Sequence, residues 1–156
     1  MNIILDISNF QLGYMYFLQP KQNIIMDGIF SKIIYSNEYF SLNSVYLYMP
    51  LDIQYIEKIG NKNNARLVAD SSINNALIQE LSKIENRIIE YYKQTHPNKS
   101  SKNSVVSIYK QLMSGNIKLY SVRKECDITL PQFILKISGI WESQFDIGIT
   151  YKIIEK

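Results

Sequence analysis

"ILKISGIWESQFDIGITYKII", residues 134–154, decides how the chain is read. Apolar and polar residues alternate on both sides of the short stretch "ESQFD". That is the pattern of two half-buried strands joined by a tight loop. Trp141, the only tryptophan of the chain, stands at the joint. Such a ring either anchors a core or is offered to a ligand, and both roles stay open here.

Upstream, the first third also alternates. Residues 2–7 form a short apolar run, and Phe10, Leu12, Tyr14, Tyr16 and Leu18 share one face at period two. "QPKQN" (19–23) reads as a turn with Pro20 as its breaker. A long strand follows over "IIMDGIFSKIIYS" (24–36), in which Gly28 predicts a bulge or bend. Past it, Ile29, Ser31, Ile33 and Tyr35 face one way, and Phe30, Lys32 and Ile34 the other. In "SVYLYMPL" (44–51), Val45, Leu47 and Met49 oppose Tyr46 and Tyr48, and Pro50 ends the strand. "LDIQYIEKI" (51–59) fits a helix or a strand, and "GNKNNAR" (60–66) reads as a loop.

The middle of the chain is helical. Asp70, Ser71 or Ser72 can cap a helix start. Ile73, Leu77, Leu81, Ile84, Ile88 and Tyr91 or Tyr92 then recur at spacings of three and four. The opposite face, with Glu80, Lys83, Glu85, Arg87 and Glu90, reads as solvated. His96-Pro97 ends this helix, with His96 placed as a partner for its C-terminal dipole. A shorter helix carries Val105, Ile108 and Leu112 on one face and ends at Gly115. "IKLYSV" (117–122), an irregular "CDITLPQF" (126–133) and the opening hairpin complete the chain.

The expectation is a single domain over 1–156, with strands over about 2–50, helices over about 71–95 and 103–114, and strands over about 117–154. Segregated strands and helices predict the α+β class. Within it, the order suits an OB-like antiparallel β-barrel or twisted sheet with a two-helix block inserted between strands three and four.

Composition sets limits. At 156 residues and 46% hydrophobic content, the chain can build one core. Isoleucine, asparagine, lysine and tyrosine abound while alanine, arginine and glycine are scarce, as AT-rich codons would produce. Lysine and asparagine richness therefore carries no functional weight by itself. The net charge of +3 permits an acidic partner without demanding one. A phosphate-binding surface must come from clustering of lysines rather than from their total. The single cysteine, Cys126, allows no intramolecular disulfide and suits a reducing compartment. "MNIILDISNF" lacks a basic flank and is interrupted by Asp6, so no signal peptide is expected. No apolar run approaches the roughly 20 residues of a membrane span. An intracellular protein is expected, in the host cytoplasm or nucleus if viral.

Catalytic chemistry finds little support. One histidine and one cysteine, far apart, match no zinc spacing, so neither a metal nor a cofactor is expected. Arg123 and Lys124 would lower the pKa of Cys126, but no base is placed beside it, and it reads as an ordinary cysteine. Glu142 and Asp146 flank one loop, where they would hold a cation or act as an acid/base pair, or simply be solvated. The glycines are isolated and form no phosphate loop. The chain reads as non-enzymatic.

Single-strand binders combine basic grooves with aromatic platforms, because every base has a stackable face. Such residues interleave here: Phe30 with Lys32, Tyr46 with Tyr48, Lys136 with Ser138, Thr150 with Lys152, and Arg123 and Lys124 near the sheet entry. In an OB barrel the last hairpin loop belongs to the oligonucleotide surface, which makes Trp141 and Phe145 stacking candidates. Each aromatic also has a packing role as its alternative.

Two stretches, "GIFSKIIYSNEYFSLNSVYLYMPL" (28–51) and "LKISGIWESQFDIGITYKI" (135–153), resemble the strand segments of OB-fold single-stranded-DNA-binding proteins of large double-stranded DNA viruses and phages. The resemblance implies sequence-tolerant binding of single-stranded DNA in replication or repair, without a cofactor. Many such proteins carry an acidic C-terminal tail that recruits partners, whereas this sequence ends "YKIIEK". The alternative is a small structural or assembly protein of a DNA virus that binds no nucleic acid. Strand edges such as 44–50 would give it a route to homo-oligomers.

Overall fold

The computed structural model describes residues 3–22, 28–60, 62–121 and 130–156. In chain order its strands are β1 (Met15–Phe17), β2 (Lys21–Gln22), β3 (Ile29–Ser36), β4 (Ser41–Leu42), β5 (Val45–Met49), β6 (Ile53–Ile59), β7 (Lys62–Leu67), β8 (Asn103–Val105), β9 (Asn116–Ser121), β10 (Phe133–Glu142) and β11 (Asp146–Glu155). Helix α1 (Ser72–Thr95) lies between β7 and β8, and α2 (Ser107–Ser114) between β8 and β9. The protein is an α+β fold built on one large, mostly antiparallel sheet.

The opening stretch is the spine of that sheet. β10 and β11 pair antiparallel along their whole length. The outer flank of β10 is shared by two strands: β5 pairs with Phe133–Ile137, and β3 pairs with Gly139–Glu142. The outer flank of β11 is also shared, by β8 and β9, both parallel to it. β9 leads through β7 to β6, and β3 carries the short β1, β2 and β4. The strand path runs openly from β1 to β6.

A β-bulge lies between Ile137 and Gly139, where the pairing with β11 shifts by one residue. Strict alternation would send Ile137 and Ile140 to opposite faces. The extra residue, Ser138, resets the phase, so both isoleucines point inward and are fully buried.

The inner face joins α1 and α2 in one core, which includes Leu47, Leu135, Ile153, Leu81, Ile88 and Ile108. The predicted stripe of α1 is buried from Leu77 to Tyr92, while Ile73 in its first turn is exposed. Ser71 caps the helix by accepting from the Asn74 N–H at 3.3 Å. Asn74 in turn holds Asp52 by two 2.8 Å bonds, accepting from its N–H and donating to its carbonyl. Gly115 ends α2 at φ 77°, the left-handed position expected of that glycine.

Glu85 overturns its expected place on a solvated face, being 0% exposed. The cause is α2, whose first residues find no side-chain cap of their own. The Glu85 carboxylate accepts from the N–H groups of Ile108 and Tyr109 at 2.9 and 3.0 Å, capping α2 from α1. Burial pushes its carboxyl above the usual range, and the two N–H bonds and Lys110 only partly offset this.

Other boundaries also differ from expectation. The period-two run from Phe10 to Leu18 holds a 3-10 turn at Leu12–Tyr14, preceded by another at Ile7–Asn9, and only Met15–Phe17 of it is strand. Strands do not stop near residue 50, because 53–67 form the β6–β7 hairpin. Residues 103–105 are strand rather than helix, since they find a partner in Asp146–Gly148. The helical block follows the seventh strand, with β8 between its two members. β5 is no free edge. It is paired to β10, and on the other side the Leu5 N–H donates to Tyr46 O while the Tyr48 N–H donates to Leu5 O, both at 2.8 Å. Among the described residues, no helix is long and apolar enough to cross a membrane.

The cap from Glu85 predicts opposite outcomes for two substitutions. Glu85→Ala strands one buried and one partly buried N–H group and should cost about 2–4 kcal/mol in urea unfolding at neutral pH. Glu85→Gln keeps an acceptor without a buried charge and should stay within ~1 kcal/mol of the parent. A raised folded-state pKa gives stability that is present below the ordinary glutamate value and fades as pH climbs past it. The stability of Glu85→Gln relative to the parent should therefore improve through that window. Equal losses in both variants would refute the cap.

Candidate nucleic-acid interface

The face of the sheet turned away from the helices collects most of the predicted binding residues. Register fixes the set. Lys136 stands opposite Lys152 on β11 and opposite Tyr46 on β5. One step before the Ile153–Leu119 pair, Lys152 and Lys118 lie on adjacent strands facing the same way. A row Tyr46–Lys136–Lys152–Lys118 thus crosses four strands, roughly 14 Å at the usual strand spacing. Tyr48 and Tyr120 lie beside it, 36% and 40% exposed. The Nζ of Lys136 lies 5.9 Å from the Tyr46 ring, and those of Lys118 and Lys152 lie 5.2 and 4.8 Å from the Tyr120 ring.

Beyond the bulge the same face carries Lys32 opposite Gly139, and Phe30 opposite both Trp141 and Lys21. Two glycines let these rings lie against the sheet. A Cβ on Gly148 would meet Trp141 ring atoms at 2.5–2.7 Å, and one on Gly139 would meet the Phe30 ring at 2.5–2.6 Å. Trp141 therefore sits outside the hydrophobic core, half-buried on the outer face over Gly148. Phe145, at the hairpin tip, is 66% exposed. No salt bridge among the described residues engages Lys21, Lys32, Lys118, Lys136 or Lys152. Two predicted residues, Arg123 and Lys124, lie outside the described residues, as does Cys126.

Lys21, Lys118 and Tyr120 belong to this face but escaped the sequence reading. For Lys118 and Tyr120 the signal was present: Ile117 and Leu119 alternate with them as Leu47 alternates with Tyr46 and Tyr48. For Lys21 it was absent, because β2 is two residues long and follows a proline.

Glu142 and Asp146 do not share a site. The bulge turns Glu142 inward, where it is 1% exposed, while Asp146 is held at the turn by the Ser143 hydroxyl and Asn103. Glu142 accepts from the Tyr92 hydroxyl at 2.6 Å, from Lys99 at 2.6 Å and from Lys102 at 3.3 Å. Lys102 also donates to the Ser143 carbonyl, and Ser31 shares a 3.0 Å bond with the Tyr92 hydroxyl. Burial alone would raise the Glu142 carboxyl, but bonds from Lys99, Tyr92 and Lys102 outweigh it and hold the group below the usual range. Burial works against the Lys99 ammonium too, yet Glu142 and Tyr92 keep it above its usual value. The Tyr92 hydroxyl is raised by burial and by the carboxylate it binds. This network is enclosed and ties the 97–102 connector to the hairpin tip. His96 completes the helix end, its Nδ1 donating to the Tyr92 carbonyl at 2.9 Å. Among the described residues, no group of three His, Cys, Asp or Glu could hold a metal ion.

Two predictions follow from the geometry. Gly148→Ala must push the Trp141 ring off the strand, so its fluorescence emission should shift to the red, with a loss of about 1–3 kcal/mol. Unchanged emission would mean that the ring does not rest there. A depressed folded-state pKa stabilises the protein above the ordinary glutamate value and stops doing so as pH falls through the folded value. Glu142→Gln should therefore flatten the acid limb of a stability-versus-pH curve measured by urea unfolding. A parent-like acid limb in the variant would count against the network.

In comparisons with known proteins, the chain matches no family model, no curated protein and no solved structure.

Proposed function

We propose that the outer sheet face binds single-stranded nucleic acid, with DNA as the preferred ligand, and that the protein carries out no chemistry on it. The observation that carries this is the row of three lysines on adjacent strands without a carboxylate partner among the described residues. Like charges directly opposite one another destabilise a sheet. A polyanion lying across the row turns that cost into binding, since neutralised phosphates release counterions. Phe30, Tyr46, Tyr48, Tyr120 and Trp141 supply flat surfaces beside it, as base stacking requires. An OB-like arrangement is the finer form of this proposal. The terminal hairpin and the strands–helices–strands order support it, and the path from β1 to β6 is what a barrel would have to close.

One observation favours the alternative, an assembly protein. Strand β6, which ends the sheet among the described residues, exposes Tyr55 and Ile59, at 48% and 61%, where a second copy could add a strand.

Fluorescence anisotropy with a labelled oligothymidine separates the two. Binding is expected at low salt and should fall steeply as salt rises. Lys136→Gln and Lys32→Gln should each reduce the log–log salt slope by about 0.7, equally for different sequences. Tyr48→Ala should weaken binding by about 1–3 kcal/mol without changing the slope. Absence of binding at low salt, together with a concentration-dependent dimer in sizing chromatography, would transfer support to the assembly role.

A further inference from the structure

The outer flank of β11 has an opening. Asp146–Gly148 pair with β8 and Ile153–Glu155 with β9, but residues 149–152 between them make no ladder pairing on this side among the described residues. The opening exists because α2 is inserted between β8 and β9 in the chain. It forms a cleft of about 240 Å³ lined by Gln111, Lys118, Tyr120, Tyr151, Lys152 and Ile153.

The chemistry of this cleft is one-sided. Two ammonium groups converge on a single ring, Lys118 at 5.2 Å and Lys152 at 4.8 Å from the Tyr120 centroid. Among the described residues, no carboxylate lines it. On the helix side, the Tyr151 hydroxyl donates to Gln111 Oε1 at 2.7 Å and lies 3.2 Å from the Ser107 carbonyl. Burial, and then the nearby Glu85 and Tyr120, push that hydroxyl up to about 12, so it adds no negative charge. With its Oε1 turned to the Tyr151 hydroxyl, Gln111 has its two amide N–H donors to offer a ligand. Lysines, amide donors and an aromatic wall describe a receptor for an oxyanion.

We infer that this opening is a phosphate pocket, in which Lys118 and Lys152 hold one phosphate group of a bound single strand while Tyr120 flanks the attached nucleoside. The inference rests on the proposed nucleic-acid reading and adds a discrete subsite to it. The phosphate can be an internal diester or a terminal monoester, both of which present the same oxygens to the pocket.

Lysine acetylation read by mass spectrometry tests the pocket directly in the 156-residue chain. Inorganic pyrophosphate should protect Lys118 and Lys152 several-fold, while the remote Lys58 and Lys83 react as before. Equal acetylation with and without pyrophosphate overturns the pocket. A Lys118→Gln/Lys152→Gln double variant tests its use. Its log–log salt slope for oligothymidine should fall by about 0.7, the single-strand value for one phosphate. Its thermal midpoint should hold or rise, because a repulsive pair is gone. If the parent binds oligothymidine and the double variant matches it in affinity and slope, the pocket is refuted and the wider interface stands. If the parent binds no oligothymidine, the wider interface falls, and pyrophosphate protection alone upholds or overturns the pocket. Given the slope loss, a preference for a 5′-phosphorylated strand assigns the terminal monoester, and equal binding assigns the internal diester.

Discussion

Strand β10 has to bury Leu135 and Ile137 below Ser138, and Ile140 and Glu142 above it, on one face. An unbroken strand cannot do this, because its side chains alternate without pause. The bulge at Ser138 meets the demand, and much else depends on it. It divides β10 into a lower half that pairs with β5 and an upper half that pairs with β3. It also sets which side chains of the upper half look outward, and so places Trp141 on the solvent face and Glu142 beneath α1.

The two faces of the upper half therefore carry different physics. Inside, a carboxylate is tolerated because two lysines and a tyrosine surround it, and an enclosed charge survives only with such partners. Outside, cationic side chains stand without carboxylate partners among the described residues, and aromatic rings rest where glycines make room. A backbone without side chains at Gly139 and Gly148 gives Phe30 and Trp141 a flat seat. Packing and presentation are thus the same contact seen from two sides.

Much of this was legible in the sequence wherever one face of an element is apolar and the other is not. β3 and β5 alternate cleanly because their inner residues enter the core, and α1 shows its stripe for the same reason. β6 and β7 were obscure because, among the described residues, Ala65 and Leu67 are the only buried side chains of the hairpin. Val105 misled in another way: its spacing to Ile108 and Leu112 suits a helix, but pairing with β11 overrides local preference. The run from Phe10 to Tyr14 kept an apolar period because Phe10 and Tyr14 each pack on Tyr35, at 5.8 and 5.9 Å, without forming a strand. Of the candidate site, Phe30, Lys32, Tyr46, Tyr48, Lys136 and Lys152 fell on one face as their alternation implied. The side taken by Trp141 was beyond reach, since it depends on a one-residue phase change. The role of Glu85 was equally hidden, because its partners are N–H groups 23 and 24 residues away.

That β10 and β11 follow all four of their partner strands in the chain has a consequence for synthesis. Every strand that pairs with them, β3, β5, β8 and β9, leaves the ribosome first. Until residues 133–155 emerge, those earlier strands keep their partial pairings, β3 with β1, β2 and β4 and β9 with β7, but the edges that β10 and β11 will fill stay open. Such non-local pairing also slows folding, because long loops must close before any contact rewards them. The nascent chain therefore passes through a long interval of exposed edges, the condition under which chaperones hold unfinished sheets apart.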